Sequence, residues 1–169
     1  MSAPLVHFVT GSTGAGKTIY AVALADRIGA VRFSIDEWMS ALFWMDSPQP
    51  ADPVWAIERI ERCSMAIWST ATAIARRGVP VILELGLTTA ALRSRFADLA
   101  RAAGLAARLH FIDVGADERW RRTEARNRDA SAAQLDFAVT REMFDFVETM
   151  WEPPTAAEMA AMDGVRVTS

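Results

Sequence analysis

The 169-residue sequence predicts a three-layer α/β sandwich in which helices cover both sides of a parallel sheet. Short apolar runs of strand length alternate with helical segments, and strands separated by helices pair in parallel through right-handed crossovers. A glycine-rich turn and several acidic residues directly follow the strands, and ligands of such sheets bind beyond the carboxyl ends of the strands. The length and the 51% hydrophobic content suit one domain, which we assign to residues 1–169.

The first strand and the first helix, residues 5–10 and 19–25, flank a glycine-rich loop: Gly11, Ser12, Thr13, Gly14, Ala15, Gly16, Lys17 and Thr18. The loop fits the Walker A pattern G-x-x-x-x-G-K-[ST] of a P-loop, which binds nucleotide phosphates through its backbone N–H groups. Lys17 is expected to bridge the β- and γ-phosphates of ATP, and the Thr18 hydroxyl to ligate Mg²⁺. Among the 18 Lys and Arg residues Lys17 alone is lysine, as expected where a guanidinium cannot replace a compact ammonium.

The next elements continue the alternation. The first helix ends at Gly29, and residues 30–35 form a second strand that leads directly into Asp36 and Glu37. Residues 37–77 hold the helices on the side where a phosphate acceptor should bind. The longer of these helices starts at Asp52 and Pro53, and its expected inward residues are Ile57, Ile60, Ile67, Ala71 and Ile74.

The second half follows the same pattern. Residues 79–85 form a third strand, Thr88 or Thr89 caps the helix after it, and residues 105–114 hold a fourth strand. An arginine-rich lid follows at about 116–130, with its helix ending near Asn127. Another helix is expected to start at Ser131 and to turn these residues inward: Leu135, Val139, Met143, Phe146 and Met150. A capping box at 155–158 and a last strand at 165–167 complete the chain.

Glu84 ends the third strand, where a P-loop protein places a carboxylate to hold Mg²⁺ through water or to polarise a nucleophile. A solvated strand end is the simpler alternative. We favour the functional interpretation, because a strand buried on both faces gives a terminal carboxylate few other favourable positions.

Asp36 follows the second strand, which ends opposite the expected γ-phosphate, so it is a candidate base for an acceptor hydroxyl. The competing interpretation is structural. Ser34 and Glu37 also match a capping box, which explains Glu37 but not the acidic character of Asp36.

The lid segment concentrates positive charge. Arg119, Arg122 and Arg126 lie on one helix face, as expected for groups that cover a transferring phosphate. We predict that Arg119 binds the nucleotide and that Arg122 and Arg126 act in catalysis. A solvated helix with charges paired along its surface is the alternative.

Four tryptophans, Trp38, Trp44, Trp55 and Trp68, occur between the second and third strands. Large aromatics at helical spacing usually belong to the core, but one or two of these could line an acceptor pocket that prefers a ring or an apolar body. His7 and His110 fall within strands, lack metal-ligand spacing and are assigned to the core.

Composition limits the possible partners. The net charge of −3 provides no basic surface for nucleic acid, and Cys63, the only cysteine, fits a reducing cytosol. The N-terminal residues lack the features of an export signal or a membrane span. We therefore expect a cytoplasmic protein with a small-molecule partner, and the sequence leaves its oligomeric state open.

The sequence also resembles a known group, the small bacterial P-loop kinase-like ATP-binding proteins related to chloramphenicol phosphotransferase, zeta toxins and gluconate kinase. The resemblance rests on residues 11–18, 33–38, 81–86, 120–127 and 144–154. It implies the sheet order 2-3-1-4-5, a base at Asp36 and lid arginines. Glu84 stands where an aspartate would be expected, so its contact with Mg²⁺ is expected to run through water.

These observations predict an ATP-dependent phosphotransferase, a kinase that moves the γ-phosphate to a hydroxyl of a small molecule with Mg²⁺. Two alternatives remain. One is a P-loop ATPase or nucleotide-binding switch without a small-molecule acceptor, and the other is a toxin-like nucleotide-sugar kinase.

Overall fold

The structure is a computed structural model that describes residues 5–50, 52–129 and 138–168. Its strands are β1 (Val6–Thr10), β2 (Val31–Ser34), β3 (Val81–Glu84), β4 (Ala107–Asp113) and β5 (Val165–Thr168). Its helices are α1 (Lys17–Ile28), α2 (Ile35–Leu42), α3 (Pro53–Ala75), α4 (Ala90–Ala102), α5 (Ala116–Arg128), α6 (Arg141–Met150) and α7 (Ala156–Ala161). A 3₁₀ turn, Trp44–Asp46, joins α2 to the segment before α3. No helix in the described ranges is both long enough and apolar enough to cross a membrane.

The five strands form one parallel sheet in the order β2-β3-β1-β4-β5, which confirms the predicted three-layer α/β fold and its sheet order. The register pairs Ser34 with Glu84 and Thr10 with Phe111. The carboxyl ends of these strands therefore meet at one edge of the sheet, where the loop after β1, the start of α2 and Glu84 lie side by side.

Side chains alternate between the two faces of the sheet, as the pleat requires. Val6 and Phe8 of β1 pack on one face against α3 and α4, through residues such as Ile67 and Phe96. Val9 packs on the other face against α1. Helices on both faces bury the central strands β1 and β3 along their whole length, and this explains why these two strands are largely apolar.

Two predicted helix faces were wrong in part. In α3, Ile67 and Ala71 are buried as expected, but Ile57 and Ile60 are exposed. α3 has 23 residues and spans about 35 Å at 1.5 Å per residue, longer than the strands it covers, so its first turns extend past the sheet.

The second wrong face concerns α6, which begins at Arg141. Ser131 and Leu135, its predicted first residues, lie outside the described residues. Val139 precedes the helix, and its backbone bonds to the Asn127 side chain. Val139 is buried, as predicted, but the other three described residues of the predicted face are exposed and Phe144 is buried in their place: the exposed ones are Met143, Phe146 and Met150. The side of α6 that carries Phe144 faces the interior, because the Phe144 ring packs on Trp120 of α5.

The two histidines form a buried pair on the α1 side of the sheet. His7 Nδ1 lies 2.9 Å from His110 Nε2, and the Tyr20 hydroxyl of α1 lies 2.7 Å from His110 Nδ1. Burial, together with His7, Arg108 and Arg27, lowers the pKa of His110 to about 4. The prediction that both histidines belong to the core is confirmed.

We expect this pair to make folding stability depend on pH. The unfolded chain binds a proton at His110 near pH 6.5, whereas the folded chain does so only near pH 4, so stability falls as the pH drops through this window. Between pH 7 and pH 5 the loss should reach about 2 kcal/mol. Urea unfolding at both pH values measures it, and His110→Gln should flatten the dependence. An equal slope in the variant would assign it to other groups.

Candidate functional site

The P-loop connects β1 to α1 at the edge of the sheet where the strands end. α1 begins at Lys17, directly after Gly16, whose φ of 89° is in the left-handed region that favours glycine. The Lys17 ammonium donates to the Ser12 carbonyl at 3.1 Å, and the Ala15 N–H donates to the same oxygen at 3.2 Å. The loop therefore closes on itself at the N-terminus of α1, where a helix favours a phosphate.

α5 lies directly against the outside of this loop. A Cβ atom added at Gly14 would lie 2.7 Å from Thr123 Oγ1, and closer still to the carbonyl oxygen of Arg119. The Thr123 hydroxyl is buried and donates to that same carbonyl at 2.9 Å. Gly14 is thus required for two reasons, because its φ is 78° and because α5 leaves no room for a side chain.

We expect Gly14→Ala to lose more stability than the strain of a positive φ accounts for, and to lose affinity for ATP as well. Gly29→Ala is the matched control, since Gly29 has a φ of 64° but nothing within 4 Å of the added Cβ. The control should lose about 1–2 kcal/mol of unfolding free energy. Gly14→Ala should lose more, because α5 has to move, and should weaken ATP binding by at least about tenfold. Denaturant unfolding and ATP titration measure both, and equal losses in the two variants would contradict the close approach of α5.

Asp36 lies in the first turn of α2, across the strand ends from the P-loop. Ser34 caps this helix by accepting from the Glu37 N–H at 3.4 Å. The Glu37 carboxylate does not reach back to the cap. It pairs with Arg32 instead, so the predicted capping box forms only in half. In the described part of the chain the Asp36 carboxylate is exposed and makes no hydrogen bond, which leaves it available for a ligand.

The Glu84 carboxylate is buried and points toward the P-loop. Its Oε2 accepts from the Thr18 hydroxyl at 3.1 Å, and its Oε1 pairs with Arg32. A hydroxyl and a carboxylate side by side, next to a phosphate-binding loop, are the oxygen donors that Mg²⁺ takes together with water and phosphate oxygens. The two residues fit the predicted metal site, and the alternative of a solvated strand end for Glu84 is wrong.

The ammonium of Lys17 lies among charges of both signs. Burial lowers the pKa of Lys17, the carboxylates of Asp36 and Glu84 partly offset this effect, and Arg119 and Arg126 add to it. These charges act on Lys17 from α2, β3 and α5, so the fold gathers residues that are far apart in the sequence around one ammonium. That convergence of five predicted site residues could not be read from their spacing in the sequence.

The lid arginines differ in their contacts. Arg119 is only 5% exposed and donates to two backbone carbonyls, that of Val114 at 2.8 Å and that of Thr13 at 3.2 Å. Arg122 bonds to Glu118 and reaches the Ala15 carbonyl at 3.4 Å. In the described residues Arg126 has a buried Nη2 atom without a hydrogen-bond partner. Their roles toward phosphate stay predictions, and the contacts of Arg119 and Arg122 add a second role, which is to bind the outward carbonyls of the P-loop.

Sequence reasoning missed one site residue. Glu148 of α6 accepts from the Ser12 hydroxyl of the P-loop and forms a two-pronged ion pair with Arg119. No local pattern pointed to it, because α6 was expected to contribute only apolar residues to the interior.

The tryptophans divide between core and surface. Trp68 is buried and stacks on Phe8, while Trp38 packs on Phe33. Trp44 and Trp55 stack on each other with ring centroids 6.3 Å apart and remain partly exposed. Exposed apolar side chains flank the two tryptophans in the sequence, in α2, the 3₁₀ turn and α3: Leu42, Met45, Val54 and Ile57.

Solved structures share this fold over nearly the whole chain. Kti12 from Chaetomium thermophilum, solved with ADP-AlF3, is 15% identical with a TM-score of 0.71 and covers 96% of this chain and 88% of its own. The APS kinase CysC from Mycobacterium tuberculosis, solved with AMPPNP and APS, is 18% identical with a TM-score of 0.64 and covers 99% and 90%. A sugar kinase from Janibacter sp. HTCC2649 is 18% identical with a TM-score of 0.64 and covers 98% and 86%. At these identities the likeness shows the fold alone.

The sequence comparison adds the family. A search of curated proteins finds no sequence that matches this chain. A family model described as "AAA domain" matches residues 6–150, which include the P-loop, Asp36, Glu84, α5 and Glu148. Because the match spans most of the chain and all elements of the site, the protein belongs to this AAA domain family of P-loop kinase-like proteins.

Proposed function

We propose that the protein is an ATP-dependent phosphotransferase that moves the γ-phosphate of ATP to a hydroxyl group of a small molecule. The observation that carries the proposal is the placement of Asp36, an exposed carboxylate near the Lys17 ammonium. In a kinase a carboxylate at such a position accepts the proton of the acceptor hydroxyl, whereas a P-loop ATPase positions a water molecule instead.

In the proposed reaction the acceptor hydroxyl gives its proton to Asp36 as its oxygen bonds to the γ-phosphorus. The bond between that phosphorus and the β–γ bridging oxygen breaks, and ADP leaves. Lys17 and Arg126 neutralise the charge that spreads over the transferring group. Thr18 would hold Mg²⁺ directly and Glu84 would hold it through water, and the ion would supply charge neutralisation for the transferring phosphate.

The acceptor-side surface suggests the kind of acceptor. Trp44, Trp55 and the exposed apolar side chains that flank them in the sequence follow Asp36 along the chain, through α2 and into α3. A molecule with a ring or an apolar body would bury these groups on binding. We therefore propose that the acceptor hydroxyl belongs to such a molecule.

The decisive experiment incubates the protein with γ-labelled ATP, Mg²⁺ and pools of metabolites and antibiotics, sorted into ring-containing and strictly polar acceptors. Label in an organic product supports phosphotransfer, and label in the ring-containing pools supports the apolar acceptor. Label released only as inorganic phosphate in every pool would contradict the proposal and favour an ATPase or a nucleotide-binding switch.

Arg126→Ala is expected to lower kcat by about 10²-fold, because its Nη2 has no hydrogen-bond partner among the described residues and can donate to the transferring phosphoryl group. Arg128→Ala is the matched control on the same helix, where an exposed side chain lies 4.0 Å from Glu124. The control should keep wild-type kcat. Steady-state kinetics with an identified acceptor measure both, and equal kcat values would remove Arg126 from the catalytic groups.

A further inference from the structure

Glu148 joins α6 to the P-loop through a small polar cluster. One carboxylate oxygen, Oε1, accepts from the Ser12 hydroxyl and from Arg119 Nη1, the latter at 2.7 Å. The other, Oε2, accepts from Arg119 Nη2 at 2.5 Å. Arg119 Nη1 also donates to the Thr13 carbonyl. Four residues from three parts of the chain therefore form one connected group at the outer side of the loop.

The shape of a phosphate-binding loop explains why such a group is needed. When successive N–H groups turn toward an anion, the carbonyls between them turn outward and require donors. Arg119 supplies a donor to Thr13, and Glu148 holds Arg119 and the Ser12 side chain in place. The cluster thus supports the second and third residues of the P-loop in the free protein.

The cluster also balances charge. Arg119 is almost fully buried, and its charge acts on Lys17 in the direction that lowers the pKa of the lysine. The Glu148 carboxylate is the one that contacts Arg119 in the described ranges. Without it, an uncompensated guanidinium would remain beside the ammonium that binds phosphate.

We propose that Glu148 is a positioning residue of the nucleotide site, which holds the P-loop through Ser12 and Arg119 and neutralises Arg119, so that α6 forms part of the phosphate-binding machinery. The proposal rests on the nucleotide site of the proposed function but not on transfer to an acceptor. The simpler alternative is an ion pair that only attaches α6 to the domain.

Binding of AMPPNP with Mg²⁺ separates the two, measured by titration calorimetry well below the melting temperature, with a thermal melt of each variant. Glu148→Gln should weaken binding by at least about tenfold, because Ser12 and Arg119 lose the carboxylate that holds them against the loop.

Two further variants complete the test. Glu148→Asp keeps the charge but is too short for both contacts, so it should weaken binding as well. Asp145→Asn removes an exposed carboxylate of the same helix, which pairs only with Arg141 among the described residues, and should keep the wild-type affinity.

A purely structural role predicts a different result. Glu148→Gln would then melt at a lower temperature but bind AMPPNP with wild-type affinity, and this outcome overturns the proposal. If Glu148→Gln does not fold, wild-type affinity in Glu148→Asp overturns it equally. Because AMPPNP is not transferred, failure of phosphotransfer leaves this experiment unaffected.

Discussion

Lys17→Ala should abolish phosphotransfer, with a fall of at least about 10³-fold in turnover. The structure places this ammonium at the P-loop, near the carboxylates of Asp36 and Glu84, and it is the only lysine of the chain. Its loss removes the compact cation that bridges the β- and γ-phosphates. The core should remain intact, because the side chain makes only one hydrogen bond within the described residues, to the Ser12 carbonyl.

Lys17→Arg sharpens this experiment, since it keeps the charge but replaces a point charge by a planar guanidinium. We expect this variant to fail in transfer as well, with a Tm within about 4 °C of wild type. Turnover assays and thermal melts on both variants measure the effect. Hydrolysis and transfer within tenfold of wild type in Lys17→Ala would remove the P-loop assignment.

Asp36→Asn should separate ATP binding from transfer. The amide keeps the size and polarity of the side chain but cannot take a proton, so transfer to an acceptor should fall by about 10²–10⁴-fold while ATP binds as before. Ser34, rather than Asp36, caps α2, so the substitution should cost little stability. The measurements are an ATP titration, a thermal melt and turnover with an identified acceptor.

Glu37→Gln is the matched control, because Glu37 is the next residue of the same helix and its carboxylate pairs with Arg32. It should keep turnover within a few-fold of wild type. If Asp36→Asn keeps turnover within threefold, Asp36 is not the base. The kinase proposal would then depend on the P-loop and the lid arginines alone.

Much of the fold could be predicted because its signals are local. The glycines and Lys17 of the P-loop lie within eight residues, and the alternation of strands and helices appears as apolar periodicity. The capping boxes show the limit of such signals. The capping box of Thr155 and Glu158 forms completely. At Ser34 the Glu37 carboxylate pairs with Arg32 instead, and Arg32 lies outside the four residues that define the capping-box pattern.

The faces of α3 and α6 show a second limit. Apolar spacing marks a stripe on a helix, but burial depends on what covers that stripe. Ile57 lies beyond the strands, and Phe146 lies on a different side of α6 from Phe144 and Glu148, which turn toward α5 and the P-loop. Apolar residues are common on protein surfaces, so the pattern alone could not exclude this arrangement.

The sequence by itself determined the P-loop, the three-layer parallel sheet and the acidic residues Asp36 and Glu84 at the strand ends, because chain geometry brings the carboxyl ends of parallel strands to one edge. Only the tertiary structure decided which charges meet there. Glu148 and Ser12 are 136 positions apart, and the chain offers many carboxylates that could pair with Arg119. The choice among them follows from how α5 and α6 pack against the loop, since an ion pair requires only proximity and leaves no spacing rule in the sequence.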